Sequence, residues 1–178
     1  TKGEGDEDNE LFSIGGDELK INFSPDYETK SSYNIRIKTT DSGELSYEEE
    51  FTINVNDLNE KPTAINLSKD SIDEGEGAFV AVLSSDDPDL AAGDSHTYQF
   101  VVGDANNDNY LFGIDTQEDG SIILWSSNLD TDYESKSSFK VLLKTTDIGG
   151  LSFKDTITIN INDINEKPTD INLSSSNF

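Results

Sequence analysis

Seven residues, Asp57-Leu58-Asn59-Glu60-Lys61-Pro62-Thr63, return as Asp163-Ile164-Asn165-Glu166-Lys167-Pro168-Thr169 with one hydrophobic residue changed. The step is 106 residues, and it also carries Asp26-Tyr27-Glu28 onto Asp132-Tyr133-Glu134 and Thr39-Thr40-Asp41 onto Thr145-Thr146-Asp147. Between positions 26 and 68, 27 of 43 residues match their partner one step later, with no gap. A tandem repeat of this period is the size of one domain, so 178 residues cannot hold two whole copies. The divisions that follow are 1–58 as the C-terminal part of one repeat, 59–164 as a complete repeat, and 165–178 as the first strand of another. The chain reads as a window on a longer array. Proline cannot propagate a sheet ladder, so the recurring Lys-Pro-Thr stretch is a junction between repeats.

Alternation with period two fills each repeat. In the first, Leu19, Ile21 and Phe23 alternate with polar neighbours, as do Tyr33, Ile35, Ile37 and then Phe51, Ile53, Val55. Their later partners are Phe139, Val141, Leu143 and Ile157, Ile159, Ile161, with Ser42-Gly43 and Gly149-Gly150 as hairpin turns. The complete copy adds Ile65 and Leu67, Phe79–Leu83, Tyr98-Phe100-Val102, Leu111–Ile114 and Ile122–Trp125. About seven short strands and no useful helical period predict an all-β, Greek-key β-sandwich. Cysteine is absent, so Trp125, Tyr98 and the phenylalanines are expected to fill the core without a disulfide. Residues 1–10 offer little to bury and are expected to fray. The first copy is six residues shorter near its start: Phe12 to Asp26 spans 14 positions, Phe112 to Asp132 spans 20.

A net charge of −25 disfavours nucleic acid and anionic membrane as partners, since phosphate contacts need Lys and Arg. No stretch approaches the roughly 20 apolar residues of a membrane span. The acids are not spread evenly; they recur at strand ends. In a sandwich those ends gather at two poles, which places Asp26, Glu28, Asp57 and Glu60 at one end of the first copy and Asp87, Asp89 and Asp147 at one end of the second. Carboxylates so close repel and raise one another's pKa. A hard cation resolves the conflict, and Ca²⁺, which takes six to eight oxygens in flexible geometry, suits the set better than Mg²⁺. The bland alternative, a solvated acidic surface, explains the charge but not the matched positions in the two copies. The single histidine, His96, reads as structural or surface, and Asn106-Asn107-Asp108-Asn109 as a polar loop.

At these residues the chain resembles the cadherin repeat family. The family linker Asp-x-Asn-Asp-Asn-x-Pro is met by Asp57-Leu58-Asn59-Glu60-Lys61-Pro62, one residue short and with Glu for Asp, a form associated with bacterial cadherin-like repeats. Its Leu-Asp-Arg-Glu motif looks like Asp26-Tyr27-Glu28 and Asp132-Tyr133-Glu134, its Asp-x-Asp like Asp87-Pro88-Asp89, its later Asp like Asp41 and Asp147, and its early Glu like Glu74. The resemblance implies a cadherin/immunoglobulin-like sandwich with calcium ions between successive repeats. For the internal junction it implies Asp26, Glu28, Asp57, Asn59, Glu60, Asp87, Asp89 and Asp147 as ligands. For the next junction it implies Glu74, Asp132, Glu134, Asp163, Asn165 and Glu166.

The function expected is therefore not enzymatic. It is a calcium-rigidified stalk or adhesive segment of a large extracellular or cell-surface protein, of bacterial adhesin type. Its partners would be calcium, neighbouring repeats of the same chain, and polysaccharide or another cell surface. The alternative is a polysaccharide-binding module of a secreted enzyme or matrix protein, with Tyr98, Tyr110 and Trp125 as candidate sugar-stacking aromatics.

Overall fold

The computed structural model describes residues 3–103 and 106–171. Two compact units divide the chain, Thr1–Asn59 and Glu60–Phe178.

In the first unit, strands β1 (Phe12–Gly15) and β2 (Glu18–Ile21) form one antiparallel hairpin, with Phe12 opposite Ile21. Strands β3 (Ser32–Thr40) and β4 (Ser46–Asn54) form a second, with Tyr33 opposite Ile53. Tyr33 and Ile35 are buried, and the rings of Phe12 and Phe23 meet Tyr33 edge-on at 6.0 and 5.6 Å. Of residues 1–10, expected to fray, the first two lie outside the described residues and the rest are anchored through Asp8 and Asn9. Asp8 is only 6% exposed; its Oδ1 pairs with the Lys30 ammonium and its Oδ2 accepts the Asn34 N–H. Burial alone would raise the Asp8 carboxyl, but Lys30 and the Asn34 N–H outweigh it and hold it below the usual range. Asn9 binds the same strand at Arg36, accepting its N–H and donating to its carbonyl.

The second unit is a two-sheet sandwich. One sheet has the order β5 (Ala64–Leu67), β7 (Phe79–Asp86), β10 (Ile122–Ser126), β9 (Gly113–Thr116); the other has β6 (Ser71–Asp73), β12 (Ser152–Asn162), β11 (Ser138–Thr146), β8 (Thr97–Phe100). The all-β sandwich agrees with the sequence expectation of about seven strands per repeat; among the described residues this unit has eight. Its first strand is split: β5 pairs antiparallel with β7, and after a bend β6 joins the other sheet parallel to β12. Ser71-Ile72-Asp73 carries a single apolar residue, so alternation gives no signal there, yet Ile72 is among the most buried residues.

The core lies between the sheets. Phe79, Ala81 and Leu83 alternate inward along β7 and meet Leu124, Phe139, Val141, Leu143 and Ile159. Phe112 stands edge-on between Phe79 and Phe139, at 6.3 and 6.0 Å. Two sequence assignments change. Val102, expected to continue the inward row of Tyr98 and Phe100, lies past the end of β8 and is 94% exposed. Trp125, expected in the core, is on the opposite face of β10 from buried Leu124. It covers Gly113, where any Cβ would fall within 2.6 Å of the indole. The run Ile122-Ile123-Leu124-Trp125 is apolar throughout, so alternation could not say which residues point inward.

Asp108 and Asn109 repeat the Asp8–Asn9 arrangement. Asp108 pairs with Lys136 and accepts the Lys140 N–H, while Asn109 accepts the Leu142 N–H and donates to the Leu142 and Val101 carbonyls. The stretch read as a polar loop is thus a clamp that docks the turn before Phe112 onto β11. Leu111, read as the first residue of a strand, instead ends the 3₁₀ turn Asn109–Leu111.

Candidate functional site

At the end of the second unit where β6 and β12 finish, the turn Asp73-Glu74-Gly75-Glu76 is tied to its surroundings by backbone bonds. The Glu74 N–H donates to the Asn162 carbonyl at 3.1 Å and the Gly75 N–H to the Thr131 carbonyl at 3.0 Å. Gly75 has φ +78, which suits a glycine in a tight reversal. The Glu74 side chain then bridges two chain segments. Its Oε2 accepts the Tyr133 N–H at 3.2 Å, inside Asp132-Tyr133-Glu134, and its Oε1 accepts the Ile164 N–H, inside Asp163-Ile164-Asn165-Glu166. Three sequence motifs thereby meet at one side chain.

Glu74, Glu134 and Glu166 each place a carboxylate oxygen within 4.8 Å of the others. The charges that shift Glu166 are all negative: Glu74 first, then Glu134, then Asp132 and Asp163. Together with partial desolvation they push its carboxyl above the usual range. A cleft of about 480 Å³ opens here, lined by Glu74, Asp130, Asp132, Ile164 and Glu166 among others. The structure thus assembles Glu74, Glu134 and Glu166, with Asp132 and Asp163 near enough to act on Glu166. Asn165 stands outside the group of three; its amide contacts the Glu166 carbonyl at 3.4 Å. Asp132 also caps its own turn, accepting from the Ser135 hydroxyl at 2.9 Å.

The matching residues of the first unit show the same local build. Asp26 Oδ2 accepts the Thr29 hydroxyl at 2.9 Å, and Oδ1 accepts the Glu28 and Thr29 N–H groups. Those bonds, the Thr29 ones foremost, hold the Asp26 carboxyl below the usual range. Glu28, Asp57 and Asn59 are exposed, the last two in the irregular stretch after β4.

At the other end of the second unit, Ser85 on β7 donates to Thr145 on β11 at 2.9 Å across the sandwich, and the Tyr98 hydroxyl joins them at 2.8 Å. This buried link fixes the two strand ends from which Asp87 and Asp147 follow, each two residues on. Asp87, Asp89 and Asp147 are all buried. Asp87 caps the 3₁₀ turn Pro88–Ala92 by accepting the Asp89 N–H. Asp89 Oδ2 accepts the Glu60 N–H at 2.7 Å, so the start of this unit is held by a carboxylate. Asp147 closes the β11–β12 turn by accepting the Leu151 N–H at 2.8 Å.

No family model matches the chain. Over 148 residues it is 31% identical to Cadherin-99C of Drosophila melanogaster, a match covering 80% of this chain and 8% of that protein. Protocadherin Fat 2 of Mus musculus is 27% identical over 150 residues, covering 80% of this chain and 3% of that protein. Among solved structures, PcdhgB3 EC1-4 matches with a TM-score of 0.61 at 25% identity, over 90% of this chain and 39% of that one. The repeat is a cadherin repeat. The solved structures it matches include the extracellular cadherin domains 1-4 of Protocadherin Gamma B7, with a TM-score of 0.56 at 24% identity over 88% of this chain and 39% of that one. The chain spans less than a tenth of either curated relative. Both of those relatives are animal proteins, so the expected bacterial source draws no support from them. Among the described residues, no helix is long and apolar enough to cross a membrane. What the sequence missed around the cadherin motifs is their supports: Ser85, Tyr98 and Thr145 behind Asp87 and Asp147, and the partners of His96.

Proposed function

We propose that this segment belongs to an array of cadherin repeats stiffened by calcium, serving as a stalk or adhesive part of a larger extracellular protein. The observation that carries the reading is the cluster of Glu74, Glu134 and Glu166. Oxygen-only ligands, mutually repelling and reachable from a cleft, are the donor set a hard cation needs. Asp132, Asp163 and Asn165 would complete it. By equivalence one repeat earlier, Asp26, Glu28, Asp57, Asn59 and Glu60 would serve likewise, with Asp87, Asp89 and Asp147 as the contribution of the complete repeat. Bound calcium would supply the positive charge. The chain's own part is to hold the oxygens in place: Glu74 ties its turn to both the Asp132–Glu134 turn and the following linker, so closing the cluster closes the linker.

Extracellular calcium modules bind with Kd of about 10⁻⁴–10⁻³ M. Calcium is expected to extend the particle in X-ray scattering and to protect residues 57–63 from proteases, and a chelator to reverse both. Identical scattering and cleavage in calcium and in chelator would refute the reading. The polysaccharide-binding alternative needs a row of exposed aromatics. Of its three candidates Tyr110 alone is largely exposed, at 80%, while Tyr98 packs on the core and Trp125 covers Gly113.

A further inference from the structure

The 3₁₀ turn after β7 returns the chain to β8 in a way that brings Asp87, Asp94 and His96 together. The His96 Nε2 lies 2.8 Å from Asp87 Oδ2 and 3.8 Å from Asp94 Oδ2. The three side chains are only 7%, 0% and 3% exposed for His96, Asp87 and Asp94 respectively. Most of their other bonding capacity is in use. Asp87 Oδ1 accepts the Asp89 N–H, and Asp94 Oδ1 accepts the Ser95 and Ile148 N–H groups.

Asp94 Oδ2 is the exception. It is fully buried and has no hydrogen-bond partner. One imidazole N–H directed at Asp87 does not also serve an oxygen 3.8 Å away, which is beyond hydrogen-bond reach. A buried carboxylate oxygen left so is costly. A cation seated among Asp87, Asp94 and His96 satisfies all three at once, and each side chain offers one ligand atom within 4.8 Å of the other two.

The nitrogen decides which cation. Calcium and magnesium select oxygen ligands, whereas imidazole suits zinc and its transition-metal neighbours. A tetrahedral ion with bonds of about 2.0–2.1 Å sets its ligand atoms about 3.3 Å apart. The observed 2.8 and 3.8 Å straddle that spacing, so along the two edges that meet at His96 shifts of about half an ångström suffice. We infer that Asp87, Asp94 and His96 form a binding site for a zinc-like transition-metal ion, separate from the all-oxygen cluster at the opposite end of the repeat. The inference does not rest on the calcium reading. It uses Asp94 and His96, which the calcium set leaves aside, and takes only Oδ2 from Asp87.

The chain has one histidine, so any imidazole signal reports this site alone. The intact chain, with the His96 ring followed by NMR, is titrated with ZnCl₂ both in calcium-free buffer and in excess calcium. One equivalent of zinc is expected to shift the ring nitrogens in both buffers, and Co²⁺ to give a visible tetrahedral absorption band. In Asp94→Asn the zinc affinity is expected to fall at least tenfold, with calcium-dependent protection of residues 57–63 unchanged. Unshifted ring nitrogens at stoichiometric zinc, or equal zinc affinity in Asp94→Asn, would overturn the site. The first readout uses the unaltered chain, so a folding defect in the variant leaves it standing.

Discussion

Glu44 and Gly150 occupy the same position of the same hairpin turn, one step of 106 residues apart. Each donates its N–H back to the turn's first Asp, Asp41 or Asp147, and each has positive φ, 66 for Glu44 and 91 for Gly150. Only Gly adopts that conformation without steric cost. Glu44→Gly is therefore expected to stabilise the first unit by about 0.5–1 kcal/mol, and Gly150→Ala to destabilise the second by about 1–2 kcal/mol, both read from urea unfolding. Glu166 makes a different prediction. A carboxyl raised in the folded chain favours folding at pH below its ordinary value, and that contribution is lost as pH rises through the raised value. In chelator, thermal stability should fall across that window, and Glu166→Gln should flatten the fall while weakening calcium binding in calorimetry. An unchanged pH profile would show that the repulsion is not felt. Glu166 was legible as a candidate because repetition marks Asp-x-Asn-Glu twice. Asp94 was not, because its partners lie seven residues before it and two after, in a segment where the first copy has no counterpart to compare.

At the scale of elements, the clamps before β1 and β9 show how much a small length change can conceal. Asp8-Asn9 and Asp108-Asn109 are 100 residues apart, whereas the strands they grip are 106 apart, so a gapless comparison passes over them. Their Asp and Asn side chains satisfy backbone groups on the neighbouring strand, which no periodicity of apolar residues reveals. Asn109→Ala removes three such bonds and should cost about 1–3 kcal/mol of stability. Lys136→Ala should cost about 1 kcal/mol or less, because that ion pair is two-fifths exposed on its lysine side. Chemical denaturation of the two variants separates them; equal losses would mean the ion pair rather than the backbone anchoring holds the turn. The strands with clean alternation, β11 and β12, were readable from sequence, whereas β7, apolar at every position from Phe79 to Leu83, shows its facing only in the fold. Those with one apolar residue or an unbroken apolar run, β6 and β10, were readable only in part, since their facing is set by the partner strands.

For the whole molecule, burial is uneven. The second unit has a contiguous core running from Ile65 to Ile161, while the first buries Tyr33 and Ile35 between two short hairpins. Amide hydrogen exchange in a monomeric sample is accordingly expected to be faster in residues 19–55 than in 79–160. The reverse order would mean that the first unit is held by contacts other than its own. The split first strand has a mechanical consequence. Near its beginning the complete repeat runs through β6, and it ends through β12, which are parallel neighbours with Ile72 beside Ile161. Tension along an array pulls these two strands in opposite senses along their length. Their ladder is loaded in shear, so its bonds must give way together instead of peeling one by one, and the weakest-looking strand of the fold becomes its latch under load.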